Sequence, residues 1–402
     1  MSETLVKKAS QFESSDKIWT RDFILICLSN FFIFLGFQMT LPTIPLFVEH
    51  LGGNDQLIGF VVGIFTFSAL FIRPFAGQAL ETKGRKLVYL TGLFIFVISI
   101  STYSFAGSIM FLFIMRIVQG VGWGFSTTAS GTIATDLIPP NKRGEGMGYY
   151  GLSGNLALAF GPSLGLTLAG TVSFFYLFLI CAALGLVSFI LSSRIRYKKV
   201  EPKHHKKNEA KLSANNLYEK SAISPSFLMF FITITFGGIA TFLPLYSAQK
   251  GISGIQLYFL LYALALMATR AFAGQLYDRK GHIATFVPGA VLIVIAMSLL
   301  AWLPNSAILY TAAIIYGLGF GTVQPSLQAW SVEGSPPHRR GMANATFFSF
   351  FDLGIGIGAM AFGFIGHILG YSSIYITSAF SVVISILIYL YLLFKGGKTK
   401  TV

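Results

Sequence analysis

Charged residues are scarce in this sequence. Asp, Glu, Lys and Arg make up 11% of the 402 residues, less than half of the roughly 25% that is usual in globular domains. Cysteine is nearly absent too, because only Cys27 and Cys181 occur and both lie in apolar runs. These shortages exclude a soluble enzyme, a disordered chain and a disulfide scaffold. Apolar residues are abundant instead: 54% of the chain is hydrophobic and 40 residues are Phe, which indicates a chain embedded mostly in lipid.

The apolar residues are gathered in long runs. A hydrocarbon core about 30 Å thick needs roughly 20 helical residues to cross it. Twelve runs of suitable length occur, at 23–47, 56–79, 87–104, 109–135, 145–169, 172–193, 225–248, 255–276, 284–303, 306–330, 342–365 and 371–394. The sequence therefore predicts an all-α polytopic membrane protein with twelve transmembrane helices. The expected units are a tail at 1–22, six-helix bundles at 23–193 and 225–394, a linker at 194–224 and a tail at 395–402.

The positive charge of the chain follows the predicted topology. The formal net charge is +14, and most of the 29 Lys and Arg lie in the two tails, in alternate connections between the runs and in the linker. Basic connections remain on the cytoplasmic side of a membrane. We therefore predict that both termini are cytoplasmic, and nucleic-acid binding is not needed to explain the charge.

The two bundles are related by an internal repeat. A shift of 197 residues places Arg73 on Arg270 and Gly120 on Gly317, and it aligns further glycines, prolines and acids nearby. Parallel repeats of this kind are related by an axis along the membrane normal, and they enclose a substrate site near the midplane. The repeat predicts two pseudo-symmetric bundles with a cavity between them.

Three segments carry a family resemblance. Residues 77–86, and their repeat mates 274–282, resemble the loop 2–3 signature of the major facilitator superfamily. Residues 116–120, which read Arg-Ile-Val-Gln-Gly, are similar to the helix 4 signature of that superfamily. Residues 161–165, which read Gly-Pro-Ser-Leu-Gly, resemble the helix 5 signature of its drug:proton antiporters. The resemblance covers the whole chain and implies the major facilitator fold.

The resemblance also implies a latch and a gate. In the superfamily, the loop 2–3 carboxylate helps to hold the halves together when the transporter faces outward, and the helix 5 glycines form a bendable seam between the halves. The residues carried over for these roles are Gly77, Glu81, Gly84, Arg85, Asp278, Gly281, Gly161 and Pro162. From the residues alone, the basic side chains can equally fix topology, and the helix 5 glycines can simply allow close packing.

Four ionisable residues lie well inside the apolar runs: Arg73, Arg116, Arg270 and Asp352. Such groups are costly in lipid, so they face the bundle interior or a wet cavity. Arg73 and Arg270 lie near one end of their runs. For both we favour structural pairing with an acid of the connections over contact with substrate, the candidate acids being Glu81, Asp136, Asp278 and Glu333.

Asp352 and Arg116 are the predicted proton-coupling residues. Asp352 lies ten residues into its run, about 15 Å from the start and so near the midplane. A carboxylate there can exchange a proton or hold a substrate cation as the cavity alternates, and a hydrogen-bonded structural Asp is the alternative. The resemblance ties Arg116 to proton transfer near helix 1, and the alternative is an Arg that holds helices 1 and 4 together through backbone carbonyls.

Polar and aromatic residues complete the predicted cavity. They are Asn30, Gln38, Asn155, Tyr258, Tyr262, Gln324, Gln328, Phe348 and Phe351, and Asn155 is the repeat mate of Asp352, expected to face it. Taken singly, an aromatic residue in such a helix more often contacts lipid or packs against another helix than it binds a ligand. Together they describe a greasy cavity with little charge, which favours amphiphilic organic molecules and disfavours phosphates.

These features favour a secondary active transporter that exports amphiphilic or cationic small organic molecules in exchange for protons. The alternatives are an importer or facilitator of a sugar or other small metabolite, and an exporter of a lipid-like molecule or a metallophore. An enzyme is disfavoured because no catalytic constellation, metal-ligand spacing or phosphate-binding loop occurs. We expect no cofactor, no metal and no nucleic-acid partner, and a monomer in the cytoplasmic membrane of a bacterium.

Overall fold

In the computed structural model the chain forms a bundle of long helices. The structure describes residues 17–139, 142–197, 218–336 and 340–398. The helices of the first half are α1 (Arg21–His50), α2 (Asp55–Thr82), α3 (Arg85–Tyr103), α4 (Ile109–Leu137), α5 (Arg143–Thr171) and α6 (Phe174–Ser193). Those of the second half are α7 (Lys220–Gln249), α8 and α9 (together Ile255–Trp302), α10 (Ser306–Glu333), α11 (Arg340–Leu369) and α12 (Tyr371–Lys398).

The lengths and composition of these helices suit a bilayer. Within the described residues, 11 helices are long and apolar enough to cross a membrane, and α8 contributes the shorter apolar segment Ile255–Thr269. The predicted all-α fold with twelve helices is therefore confirmed. We call the end of the bundle at the α2–α3 connection the basic end, and the opposite end, where α1 meets α2, the far end.

Glycine makes the turn at two equivalent connections of the basic end. Gly84 has φ 89° between α2 and α3, and its repeat mate Gly281 has φ 72° between α8 and α9. A Cβ atom strains this region of backbone, so glycine is the residue that fits. The polar connection expected between the eighth and ninth runs is wound into helix on both sides of Gly281, so that one residue separates the two helices.

The internal repeat is visible in the packing. A Cβ atom built on Gly120 would lie 2.5 Å from the carbonyl oxygen of Phe65, and one built on Gly317 would lie 2.5 Å from the carbonyl oxygen of Tyr262. These four residues are two pairs of repeat mates. Small residues let transmembrane helices approach closely, so α4 packs on α2 in the first half in the same way as α10 packs on α8 in the second.

The two halves meet along α2 and α11, and also where α5 packs on the α8–α9 segment and α1 packs on α7. A Cβ atom on Gly59 of α2 would lie 2.5 Å from the carbonyl oxygen of Ala359, and one on Gly356 of α11 would lie 3.0 Å from the Cβ of Thr66. These close approaches start near the far end and continue towards the middle of both helices. They leave little room for water between α2 and α11 over that length.

Candidate functional site

An ion pair joins the two halves where the packing of α2 against α11 ends. The Nη2 atom of Arg73 lies 2.6 Å from Oδ2 of Asp352, and the two side chains are 23% and 24% exposed. The Nε atom of Arg73 is buried without a hydrogen-bond partner among the described residues. The expectation that Arg73 pairs with an acid of the connections is wrong, since its partner is the carboxylate inside α11. The side chain of its repeat mate Arg270 lies outside the described part.

The Arg73–Asp352 pair lies between the packed far ends of α2 and α11 and open space towards the basic end. Asp352 is about 18 Å along α11 from Arg340 and about 25 Å from Leu369, at 1.5 Å per residue. At the far end, the hydroxyl of Tyr371 on α12 donates to Oδ1 of Asp55 on α2 at 2.6 Å, which also bridges the halves. Contacts between the halves therefore extend from the far end to Asp352.

Space opens towards the basic end. Gly131 on α4 and Gly148 and Gly151 on α5 have no neighbouring atom within 4 Å of an added Cβ atom. All three lie in the halves of their helices nearer the basic end. We call this space the cleft, and the Arg73–Asp352 pair lies where the packing of α2 against α11 ends beside it. A pocket also lies between the halves at the far end, lined by residues of α1, α5, α6, α7 and α8.

One side of α11 contacts α10 next to this cleft. The Nε2 atom of Gln328 donates to Oδ1 of Asn344 at 3.1 Å, and the ring of Phe320 lies 6.2 Å from that of Phe351. Asn344 was not predicted from the sequence. Its position four residues before Phe348 and eight before Asp352 places it on their side of the helix, and that spacing is the pattern that would have identified it.

Phe348 lies on an exposed strip of α11 between the contacts of this helix with α10 and with α2. Along α11, the residues that contact α10 lie on one side of Phe348, and Asp352 and Gly356, which contact α2, lie on the other. The side chain between them is 36% exposed. The wall formed by α10 and α11 therefore carries four of the predicted residues: Gln328, Phe348, Phe351 and Asp352. Gln324 lies on the same wall, and its Nε2 atom is 3.5 Å from Oε1 of Gln328.

Two predicted cavity residues of α1 lie inside the first bundle. Asn30 is 2% exposed, and its amide accepts from the Tyr150 hydroxyl at 2.8 Å and donates to Oγ of Ser153 at 2.9 Å. Gln38 is 8% exposed. The Asn30 amide therefore faces α5, and Oε1 of Gln38 is buried without a hydrogen-bond partner among the described residues. Asn155 is partly exposed on α5. No hydrogen bond joins Asn155 to Asp352 among the described residues, and the partner of Asp352 is Arg73.

The two predicted tyrosines of α8 lie inside the second bundle. Tyr258 and Tyr262 are 0% and 2% exposed. The ring of Tyr262 lies 5.5 Å from that of Tyr316 on α10 and 6.2 Å from that of Phe236 on α7. Both tyrosines belong to the aromatic interior that joins α7, α8 and α10.

Arg116 fastens α4 to α2. It is 2% exposed, its Nε donates to the carbonyl oxygen of Val61 at 3.1 Å, and its Nη1 donates to Oε1 of Gln119 at 2.7 Å. Its guanidinium also lies 4.4 Å from the centre of the Phe65 ring. The structural alternative predicted that Arg116 holds α4 to α1 through backbone carbonyls. The partner helix in that prediction is wrong, because the carbonyl that Arg116 binds belongs to α2.

We expect Arg116→Met to lower the melting temperature of the purified protein by several degrees. The change removes the two buried bonds from Arg116 to the Val61 carbonyl and to Oε1 of Gln119, although the Tyr103 hydroxyl still donates to that oxygen. Loss of two buried bonds from a charged donor costs about 2 kcal/mol. Thermal unfolding in detergent, followed by tryptophan fluorescence, measures the effect. Arg279→Met at an exposed position is the matched control, and equal melting temperatures for the two variants would contradict this role of Arg116.

The predicted latch residues lie at the α2–α3 connection and its repeat. The Nε atom of Arg85 donates to Oδ2 of Asp136 on α4 at 3.0 Å, and its Nη1 donates to the carbonyl oxygen of Leu80. Both contacts stay within the first half. Gly77 has open space around it, and the side chains of Glu81 and Asp278 lie outside the described part of the structure.

The Gly161-Pro162 segment packs within the first half. A Cβ atom on Gly161 would collide with Gln38, and one on Gly165 would lie 2.8 Å from the Cα atom of Met39. Both contacted residues belong to α1. The expected close packing is present at these two glycines, which contact α1, while α5 also packs against the α8–α9 segment of the other half.

Comparisons with known proteins agree with this geometry. The sequence model of the Major Facilitator Superfamily matches residues 26–355. The chain is 27% identical over 383 residues to an uncharacterized MFS-type transporter, MJ1560, of Methanocaldococcus jannaschii, which covers 92% of this chain and 98% of that protein. It is 28% identical over 353 residues to the staphylopine export protein of Staphylococcus aureus, and that alignment covers 85% of this chain and 88% of the export protein. It is 26% identical over 232 residues to the quinolone resistance protein NorA of Staphylococcus aureus, and that alignment covers 57% of this chain and 59% of NorA.

Solved structures share the fold. A transporter of the POT family in complex with 5-aminolevulinic acid superposes with a TM-score of 0.79 at 14% identity, over 96% of this chain and 99% of that one. A bacterial homologue of the human lysosomal transporter Spinster, in an inward-facing and occupied conformation, superposes with a TM-score of 0.73 at 16% identity. That superposition covers 92% of this chain and 96% of the homologue.

Proposed function

This chain belongs to the major facilitator superfamily, and from that premise we propose that it exports amphiphilic or cationic small organic molecules in exchange for protons. It is a multi-pass membrane transporter and not an enzyme. The observation that carries the proposal is the Arg73–Asp352 ion pair between the halves. A titratable group at that position can respond to protons and to substrate and also affect the movement of α2 against α11.

The open end of the cleft gives a direction to the cycle. If both termini are cytoplasmic, as the basic residues predict, the basic end faces the cytoplasm and the structure is inward-facing. A substrate then enters from the cytoplasm along α10 and α11 and reaches Phe348 and Asp352. Outward opening requires the contacts at the far end, such as Tyr371 with Asp55, to separate.

Competition at one carboxylate supplies the coupling in this proposal. Asp352 can pair with Arg73, take up a proton or contact a substrate cation. Because these states exclude one another, a cation that enters from the cytoplasm displaces the proton that Asp352 received outside. In this proposal Arg116 carries no proton and acts as a positioning residue. It fixes α4 to α2, and α2 carries Arg73, the partner of Asp352.

The composition of the cleft wall supports an amphiphilic substrate. Phe348 and Phe351 flank one carboxylate, and the neighbouring polar groups are the neutral amides of Gln328 and Asn344. An apolar site with a few convergent polar groups binds organic molecules of mixed character. The similarity to a quinolone resistance protein points to the same class of substrate.

A second candidate is the export of one polar metabolite. The similarity to the staphylopine export protein covers 85% of this chain, and that to NorA covers 57%. The broader match favours a transporter with one dedicated substrate. The direction of transport and the use of Asp352 are the same under both candidates.

Proton movement in inside-out vesicles tests the proposal. A gradient, acid inside, is imposed and its decay is followed with a pH-sensitive dye while tetraphenylphosphonium, neutral drugs, sugars or staphylopine are added. We expect tetraphenylphosphonium to accelerate the decay only in vesicles that contain the protein. Acceleration by staphylopine alone would favour the second candidate, and an effect of sugars alone would contradict both.

A further inference from the structure

We propose that Gln328 and Asn344 form a neutral recognition subsite that binds a carbonyl or carboxamide group of the substrate while Asp352 holds its cationic group. The inference rests on the proposed function and narrows its substrate class. It predicts molecules with a cation at one end, an apolar or aromatic middle and an uncharged hydrogen-bonding group at the other end.

The first support is the hydrogen bonding of the two amides. Gln328 Nε2 donates to Asn344 Oδ1 at 3.1 Å between α10 and α11, and both side chains are partly exposed. This bond leaves the Nδ2 group of Asn344 without an acceptor among the described residues. A pair of primary amides can offer a donor and an acceptor to one carboxamide, which carries the complementary groups.

The second support is the spacing along α11. Asn344, Phe348 and Asp352 follow one another at intervals of four residues and therefore lie on neighbouring parts of one helix side. Each interval corresponds to about 6 Å of rise, so the amide subsite and the carboxylate lie about 12 Å apart along the helix axis. Phe348, which is 36% exposed, lies between them.

The third support is that the fold does not need the amide pair. The shift of 197 residues places Gln328 on Gly131 and Asn344 on Met147. The first half therefore builds the equivalent helices without any amide at these positions. An element that is present in one repeat and absent from the other is better explained by the asymmetric substrate than by helix packing.

The chemistry of the subsite selects neutral groups. The hydrogen bonds of the amide pair among the described residues run between amides, with no basic side chain as a partner. A substrate carboxylate would therefore find hydrogen bonds there but no bonded countercharge. A site built to hydrogen-bond a substrate group also discriminates against an analogue that lacks the group, because its own polar atoms are then left unpaired.

Three synthetic probes test the inference. The first joins trimethylammonium to a carboxamide through nine methylenes, the second replaces the carboxamide with isopropyl, and the third shortens the linker to three methylenes. Their export by the full-length protein in proteoliposomes gives kcat/KM for each probe. We expect the long carboxamide to exceed its isostere by about three- to tenfold, the range for one or two neutral hydrogen bonds, and the short carboxamide to show no such advantage.

Variants connect this preference to the residues. Asn344→Ala and, independently, Gln328→Ala are expected to lower the ratio of kcat/KM for the long carboxamide to kcat/KM for its isostere to about one. Gln249→Ala, at an exposed position near the far end, is the matched control and keeps the preference. Binding of the same probes to purified protein, measured by calorimetry, follows the same order if the subsite acts in recognition.

The outcomes separate this inference from the proposed function. Equal export of the long carboxamide and its isostere by the unaltered protein overturns the subsite and leaves cation export standing. A preference that survives in both Ala variants also overturns it. If the unaltered protein exports and binds none of the three cations, the proposed function fails and the subsite fails with it.

Discussion

Asp352→Asn is expected to abolish substrate-driven proton movement while substrate exchange across the membrane persists. Asn has nearly the same size and can still accept a hydrogen bond from Arg73, but it cannot bind and release a proton. The loss should reach the level of vesicles without the protein. Counterflow of labelled tetraphenylphosphonium against unlabelled compound, which needs no net proton transfer, measures the remaining exchange.

Asp136→Asn is the matched control for this experiment. Asp136 also pairs with an arginine, Arg85, at 3.0 Å, and its side chain is 23% exposed against 24% for Asp352. That pair stays within one half, so its loss should leave coupling intact. Equal loss of coupling in both variants, or full coupling in Asp352→Asn, would contradict the assignment of Asp352 as the proton carrier.

The same substitution should also change the balance between conformations. An ion pair of intermediate burial contributes about 2 kcal/mol, between the values for exposed and buried pairs. Its loss would shift the two-state population roughly thirtyfold away from the closed far end. Distances between spin labels placed at the far ends of α2 and α11 report the shift, and Arg73→Gln should move them in the same direction.

Gly120→Val is expected to prevent normal assembly of the first half. The added side chain meets the backbone of α2 at the Phe65 carbonyl, where a Cβ atom alone would already lie 2.5 Å away. Backbone cannot move aside as a flexible side chain can, so overpacking here costs at least about 2 kcal/mol. We expect the amount of protein in a single size-exclusion peak to fall severalfold.

Two further glycines make this prediction specific. Gly131→Val lies on the same helix with open space around it, so it should leave the amount of folded protein unchanged. Gly317→Val should lower the amount of folded protein as Gly120→Val does, because the Tyr262 carbonyl oxygen would lie 2.5 Å from the added Cβ atom. If the two variants Gly120→Val and Gly131→Val gave equal amounts of folded protein, α2 and α4 would be packed less tightly than in this structure.

The residues that the sequence placed correctly depend on local patterns. The glycine turn at Gly84 and Gly281 follows from a motif in which both positions are glycine and both have positive φ. The depth of Asp352 followed from counting residues along one helix. Its partner could not be found in this way, because Arg73 belongs to the other half and sequence spacing contains no information about which helices meet across a pseudo-axis.

Helix orientation limited the prediction of cavity residues. Asn30, Tyr258 and Tyr262 share helix faces with other polar or aromatic residues, yet they are at most 2% exposed. In a membrane protein an aromatic or amide side chain suits lipid, helix interface and cavity almost equally, so residue type does not identify the face. Asn344 was missed for the same reason, since its role depends on the contact with Gln328 on another helix.

The sequence by itself determined the membrane environment, the number of helices, the repeat and the family, because each depends on hydrophobic length or on the order of residues along the chain. Tertiary structure alone decided that α2 packs on α11 from the far end towards the middle of both helices, and that Arg73 meets Asp352 where this packing ends. The physical reason is that helices in lipid gain no hydrophobic energy from a particular partner. Their pairing is chosen by close packing of small residues and by a few polar contacts, which exist only once the helices are assembled.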